Sequence, residues 1–149
     1  MNFKEISTEE AQKHPEYGFG GGLYLVYVVA IIWCLHSAYI VFLDADYELV
    51  LFYGYENFTM ADFTSFLQLG LTLPFLYLAP RLNPVMPSVA VSLFSVNWMI
   101  WFTFGMISPR AVPVAIVVSL VSAFMIIYIM RSTRVNVTYR NRVPRSEER

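Results

Sequence analysis

Residues 23–43, LYLVYVVAIIWCLHSAYIVFL, form an apolar run without a charged side chain. Because a helix rises about 1.5 Å per residue, about 20 residues cross the ~30 Å hydrocarbon core of a bilayer. Three similar blocks follow at residues 60–79, 85–107 and 111–130. Four such blocks leave too little polar sequence to cover them in water. The sequence therefore predicts an all-α membrane protein with four transmembrane helices in a bundle.

The composition supports this class. The chain has 149 residues, of which 57% are hydrophobic and 14% charged, whereas about a quarter of the residues of a soluble domain are charged. We expect an N-terminal cytoplasmic segment at 1–22, a transmembrane domain at 23–130 and a basic cytoplasmic tail at 131–149. Residues 1–22 hold four glutamates and two lysines, and the first block is long for a signal peptide, so we expect this block to be retained.

The distribution of basic residues predicts the orientation. Nine of the ten lie at the termini or in the link between the second and third blocks, and the opposite side holds only Arg110. The longer connection on that opposite side, at 44–62, carries acidic residues and no basic one. Basic residues concentrate on the cytoplasmic side of membrane proteins. Both termini are therefore predicted to be cytoplasmic.

The N-terminal segment contains a helix-start signal. Ser7 and Glu10 have the spacing of a capping box, and Pro15 follows as a stop signal. We predict a short surface helix there. The glycine-rich residues 18–22, GFGGG, predict a flexible or tightly turned entry to the first transmembrane helix.

The tail is rich in arginine. A basic residue near an anionic membrane surface contributes about 1 kcal/mol of attraction. The tail therefore offers candidate contacts to lipid head groups, namely Arg131, Arg134, Arg140, Arg142 and Arg145. Nucleic-acid binding is not expected, because two closing glutamates dilute the charge and no aromatic series accompanies it.

Two short segments carry a family resemblance. GFGGGLYL opens the first block and YIMRSTRVNVTY closes the fourth. They resemble the ends of small bacterial inner-membrane proteins typified by YdgK, a domain-of-unknown-function family. The closing pattern is matched by Ser132, Arg134, Val135, Thr138 and Tyr139, whereas Gly22-Leu23 stands where Trp-Leu is more usual. The resemblance implies four transmembrane helices in the bacterial cytoplasmic (inner) membrane. It implies no known activity and no catalytic residues.

The sequence offers little material for catalysis. Its one cysteine, Cys34, cannot form a disulfide within the chain, and its only histidines are His14 and His36. There is no HExxH or GxSxG motif. We therefore expect no enzyme activity, no metal site and no cofactor.

The four blocks carry polar residues at similar depth. Counted from the helix midpoints, one residue per block falls within about 5 Å of the midplane, and together they form a candidate mid-membrane polar layer: His36, Gln68, Asn97 and Ser119. Because an imidazole in hydrocarbon needs a partner, we expect His36 to form a hydrogen bond within this layer.

Helical phase adds an expectation for the third block. Ser88, Ser92 and Ser95 share a face, and small residues at such spacings let membrane helices approach closely. Asn97 lies about 180° away from that face. The third helix is therefore expected to bury two faces, or to present the second one to a partner.

Two functions agree with these features. The first is a non-catalytic accessory or assembly partner of a larger membrane complex, with a membrane-protein partner or a homo-oligomer and with membrane lipids as its contacts. The alternative is a protein that binds a small molecule, such as a quinone or lipid, or conducts protons through the mid-membrane polar layer.

Overall fold

The computed structural model describes residues 3–44, 60–107 and 109–144. Within them the element order is β1 (Phe3–Glu5), α1 (Thr8–Lys13), α2 (Gly22–Tyr39), α3 (Met60–Leu78), α4 (Met86–Ile107), α5 (Val112–Arg131), α6 (Thr133–Arg140) and β2 (Arg142–Pro144). A π-helical turn, Ile40–Asp44, continues α2, and a 3-10 turn, Pro109–Ala111, leads into α5. The prediction of a mainly helical fold is confirmed.

The longest helices are suited to a bilayer. In the described part of the chain, three helical stretches are long and apolar enough to cross a membrane, namely Gly22–Leu43, Met86–Ile107 and Val112–Arg131. A shorter apolar helix, Phe63–Leu78, lies within α3. Large apolar side chains such as Leu35 and Leu120 are about two-thirds exposed, at 66% and 67%. A surface of this kind is typical of a helix bundle that is solvated by lipid.

The long helices pack in chain order. α2 packs on α3, α3 packs on α4, and the contact between α4 and α5 is the most extensive. Phe94 of α4 is fully buried between the rings of Trp33 and Phe75, with centroid distances of 5.5 and 6.5 Å. We call the end where α2 stops and α3 begins the loop end. The opposite end, which holds β1 and β2, is the terminal end.

The prediction that the serine face of the third helix packs closely against another helix is wrong. Ser88 and Ser92 are exposed, whereas Ala90, Phe94 and Asn97 are buried. A serine hydroxyl can bond the carbonyl one turn back in its own helix, so a row of serines does not require a neighbouring helix. The larger apolar side chains on the other side of α4 form the core instead.

The two ends of the chain fold together at the terminal end. β1 pairs with β2 in an antiparallel register that places Phe3 opposite Pro144. The predicted capping box at Ser7 and Glu10 is confirmed, and hydrogen bonds from the Ser7 backbone and hydroxyl lower the pKa of the Glu10 carboxyl. The entry to α2 is tightly turned, because Gly21 has a φ of 57°, a left-handed conformation that glycine adopts at little cost.

The basic tail contains a buried helix. Ser132 caps the start of α6, and Asn141 closes its end in a left-handed conformation. Every side chain from residue 135 to residue 139 is buried. The tail is therefore part of the packed structure up to β2, which the sequence pattern did not indicate.

Candidate functional site

A continuous chain of hydrogen bonds crosses the helix bundle. The Ser37 hydroxyl donates to Gln68 Oε1 at 2.9 Å, and Gln68 Nε2 donates to Asn97 Oδ1 at 2.9 Å. Asn97 Nδ2 in turn donates to the Ser122 hydroxyl at 3.3 Å. The four residues come from α2, α3, α4 and α5. We call this set the polar chain.

The polar chain overlaps only partly with the layer expected from depth. The structure brings Gln68 and Asn97 together. His36 and Ser119 lie outside the hydrogen-bonded set, and their places are taken by Ser37 and Ser122. For His36 and Ser37 the physical reason is direction: adjacent residues of a helix point about 100° apart, so equal depth does not bring side chains into contact. Helical phase separates Ser37 from His36, but Ser119 and Ser122 are three residues apart on one face of α5, so the choice of Ser122 depends on how α5 packs against α4.

His36 instead lines a cavity in the loop-end half of the bundle. We call this the loop-end cavity; its volume is about 410 Å³. Its walls include side chains of α2, α3 and α4, among them Trp33, His36, Ser65, Gln68, Trp101 and Phe104. None of the described residues that line it is charged. The cavity therefore touches the polar chain at Gln68 and presents the imidazole of His36 beside it.

The polar groups of this cavity differ in how they are engaged. Gln68 uses its oxygen and its nitrogen within the polar chain. The imidazole of His36 is exposed and has no hydrogen-bond partner among the residues that the structure describes. A neutral imidazole offers one donor and one acceptor. His36 is thus a polar group of the cavity that a bound molecule can engage without breaking the polar chain.

The chemistry of the walls limits what fits. Trp33 and Trp101 offer flat aromatic surfaces, which stack on rings. A charged ligand group would lose its hydration without gaining an ionic partner from these walls. No three His, Cys, Asp or Glu side chains lie close enough together for a metal site within the described ranges. The cavity suits a small neutral molecule with a ring and a polar atom, and its size is that of ordinary ligand pockets.

The tail arginines predicted to contact lipid have different environments. Arg142 forms an exposed ion pair with Glu5 at 2.8 Å. Arg140 donates to Asn136 Oδ1 at 3.2 Å, and burial, together with the charge of Arg142, lowers its pKa. Arg131 is exposed at the end of α5. Arg145 lies outside the described residues.

Arg134 is engaged at the glycine-rich entry. Its Nε lies 3.1 Å from the position that a Cβ on Gly21 would take. Nearby, the backbone N–H of Gly18 donates to the Thr138 hydroxyl at 2.9 Å. The two segments that carry the family resemblance, 120 residues apart in the chain, therefore lie against each other.

These features define a mainly helical protein that has three helices long and apolar enough to cross a membrane and a cavity whose described lining is uncharged. No family model, curated protein or solved structure matches the chain.

Proposed function

We propose that this chain is a non-catalytic protein of the bacterial cytoplasmic membrane that binds a small, neutral, quinone-like molecule in the loop-end cavity. The observation that carries the proposal is the imidazole of His36. It faces this aromatic cavity, whose described lining is uncharged, and has no hydrogen-bond partner among the described residues. A carbonyl oxygen of a ring-shaped ligand accepts the imidazole N–H, while the ring stacks on Trp33 or Trp101.

The proposal includes four membrane spans and two cytoplasmic termini. α3 supports the fourth span because it has 19 residues, about 28 Å of helix, and packs against both α2 and α4. The excess of basic residues at the terminal end supports the orientation. The contact between the glycine-rich entry and α6 supports the resemblance to the YdgK-like family, since it gives both of its short motifs a shared structural role.

The accessory role expected from the sequence stays a prediction. Its main sequence indication was Asn97, a polar residue on a second face of the third helix. In the structure Asn97 is 1% exposed and bonds Gln68 and Ser122 within the same chain. That residue therefore does not require a partner protein, and the cavity is the stronger guide to function.

Ligand binding can be measured through tryptophan fluorescence. The chain has three tryptophans, of which Trp33 and Trp101 line the cavity and Trp98 lies in a different groove. The Trp98→Phe variant is reconstituted in lipid nanodiscs and titrated with the chain-free ubiquinone head group. This ligand is a dimethoxy-methyl-benzoquinone without a hydrocarbon tail. We expect saturable quenching, because the ring stacks on the remaining indoles.

A matched pair of variants tests the role of His36. We expect His36→Leu to weaken binding about tenfold, which corresponds to about 1.4 kcal/mol, the size of one hydrogen bond. Ser92→Leu is the control, since it replaces another exposed polar residue of a long helix. Quenching that does not saturate, or that is equally strong in His36→Leu, contradicts the proposal.

A further inference from the structure

We infer that the ligand of the loop-end cavity carries an apolar chain, and that this chain leaves the cavity between α3 and α4 and lies in a groove on that seam. The inference rests on the proposed function and specifies its ligand class: a lipid-soluble molecule with a neutral ring and a hydrocarbon tail. The groove has a volume of about 320 Å³, and its walls include Leu67, Val96, Met99 and Thr103.

The groove and the cavity meet at three side chains. Thr64, Ile100 and Phe104 line both of them. A ring stacked in the cavity is therefore separated from the groove only by the width of these side chains. A single molecule can occupy both spaces when they adopt rotamers that open the seam.

The walls of the groove suit a hydrocarbon chain. Met99 is 60% exposed and Leu67 is 40% exposed, on a surface that faces lipid when α3 and α4 span a membrane. The groove's described lining holds no charged side chain. The Thr103 hydroxyl donates to the carbonyl oxygen of Met99 at 2.9 Å, so it is satisfied within its own helix. An apolar chain therefore leaves no polar group of this surface without a partner.

A second apolar groove provides a comparison. It lies between α4 and α5, has a volume of about 450 Å³ and includes Trp98 and Ser119 in its walls. None of the described residues that line it also lines the loop-end cavity. Of these two grooves, the α3–α4 groove is therefore the one that a hydrocarbon chain attached to a ring in the cavity can reach directly.

A comparison of two quinones, one without a hydrocarbon tail and one with a decyl tail, tests the inference. Binding of the chain-free ubiquinone head group and of its decyl homologue is measured in nanodiscs by the same fluorescence titration, with concentrations expressed per lipid so that partition into the membrane cancels. Thr103→Phe fills the groove with a ring. Ser92→Phe is the matched control, because it makes the same change at an exposed hydroxyl residue of α4 roughly 16 Å along the helix.

We expect Thr103→Phe to weaken binding of the decyl homologue about tenfold, while Ser92→Phe binds it like the parent. Binding of the chain-free head group is expected to be unchanged in both variants. Equal binding of the decyl homologue by Thr103→Phe and the parent overturns the inference and leaves the proposed function intact. Absence of saturable binding of either quinone to the parent removes the proposed function itself.

An independent measurement does not depend on a variant. A decyl homologue with a diazirine at the end of its chain is bound to the parent protein and photolysed, and the labelled peptides are identified by mass spectrometry. We expect labels on α3 and α4 around Leu67 and Met99. Labelling confined to the α4–α5 groove around Ser119, or spread evenly over all the lipid-facing helices, overturns the inference.

Discussion

The hydroxyl of Tyr139 donates a 2.6 Å hydrogen bond to the carbonyl oxygen of Ala79, 60 residues earlier in the chain. Both residues are buried. The last carbonyls of a helix have no partner within that helix, and the carbonyl of Ala79, just after α3, accepts both this bond and one from the Leu82 N–H at 3.2 Å. Burial raises the pKa of the Tyr139 phenol, and the group therefore remains a donor at neutral pH. The basic tail is thus joined to the helix bundle by a buried contact.

This contact predicts the effect of removing one oxygen atom. Tyr139→Phe keeps the ring but removes this hydrogen bond, and the Ala79 carbonyl keeps only the backbone N–H of Leu82 at 3.2 Å. We therefore expect the free energy of unfolding to fall by about 0.5–1.5 kcal/mol. Unfolding in mixed micelles, followed by circular dichroism, measures it. Tyr77→Phe is the control, because Tyr77 is 59% exposed and its ring contact with Arg81 survives the change. An equal loss of unfolding free energy in Tyr139→Phe and Tyr77→Phe contradicts the role assigned to Tyr139.

The polar chain predicts a difference between two serines of α5. Ser122→Ala removes the acceptor of Asn97 and is expected to cost about 0.6 kcal/mol, and up to about 1.7 kcal/mol. Ser119→Ala is expected to leave the free energy of unfolding nearly unchanged, because Ser119 lines the α4–α5 groove and is not in the polar chain. Denaturation of both variants under identical conditions measures the difference. If Ser119→Ala lowers the free energy of unfolding as much as Ser122→Ala does, the result contradicts the observed hydrogen bonding.

Much of the helical architecture follows from local sequence. Hydropathy and length identify the apolar helices, and the spacing of Ser7 and Glu10 identifies the start of α1. Depth along the helices identifies Gln68 and Asn97 as polar neighbours. These features depend on distances along one chain segment, which regular helix geometry fixes. A single sequence is therefore sufficient to predict them.

Other features depend on how helices are rotated and which segments meet. His36 and Ser37 are adjacent in sequence, yet Ser37 enters the polar chain and His36 faces the cavity. The rotation of α2 about its axis decides between them, and depth carries no information about it. The docking of α6 is similar: the sequence predicts only a basic tail at 131–149, and the contact of Tyr139 with Ala79 is made between distant segments. Local patterns do not specify such contacts.

The space around two glycines predicts opposite effects for their substitution by alanine. One lies where α4 approaches α5, and the other lies in the open on α3. A Cβ on Gly105 would lie 2.9 Å from the Cβ of Ala115, which cannot rotate away. Gly105→Ala is therefore expected to lower the free energy of unfolding by about 1–3 kcal/mol. At Gly70, in α3, no described heavy atom lies within 4 Å of the added Cβ. Because alanine favours the helix over glycine, Gly70→Ala is expected to raise stability by about 0.5–1 kcal/mol. Thermal unfolding in detergent measures both, and a stabilising Gly105→Ala contradicts the close approach.

The orientation in the membrane can be tested with introduced cysteines. Nine of the ten basic residues lie at the termini or in the link between α3 and α4, so we expect both termini in the cytoplasm and residues 44–62 on the opposite side. Cys34 is first replaced by Ala to give a background without a thiol. Glu56→Cys and Ser146→Cys, at positions outside the described residues, are then probed on intact cells with an impermeant thiol reagent. We expect labelling at position 56 on intact cells and at position 146 only after the membrane is permeabilised. Because both variants share one background, labelling of intact cells at position 146 but not at position 56 reverses the predicted topology.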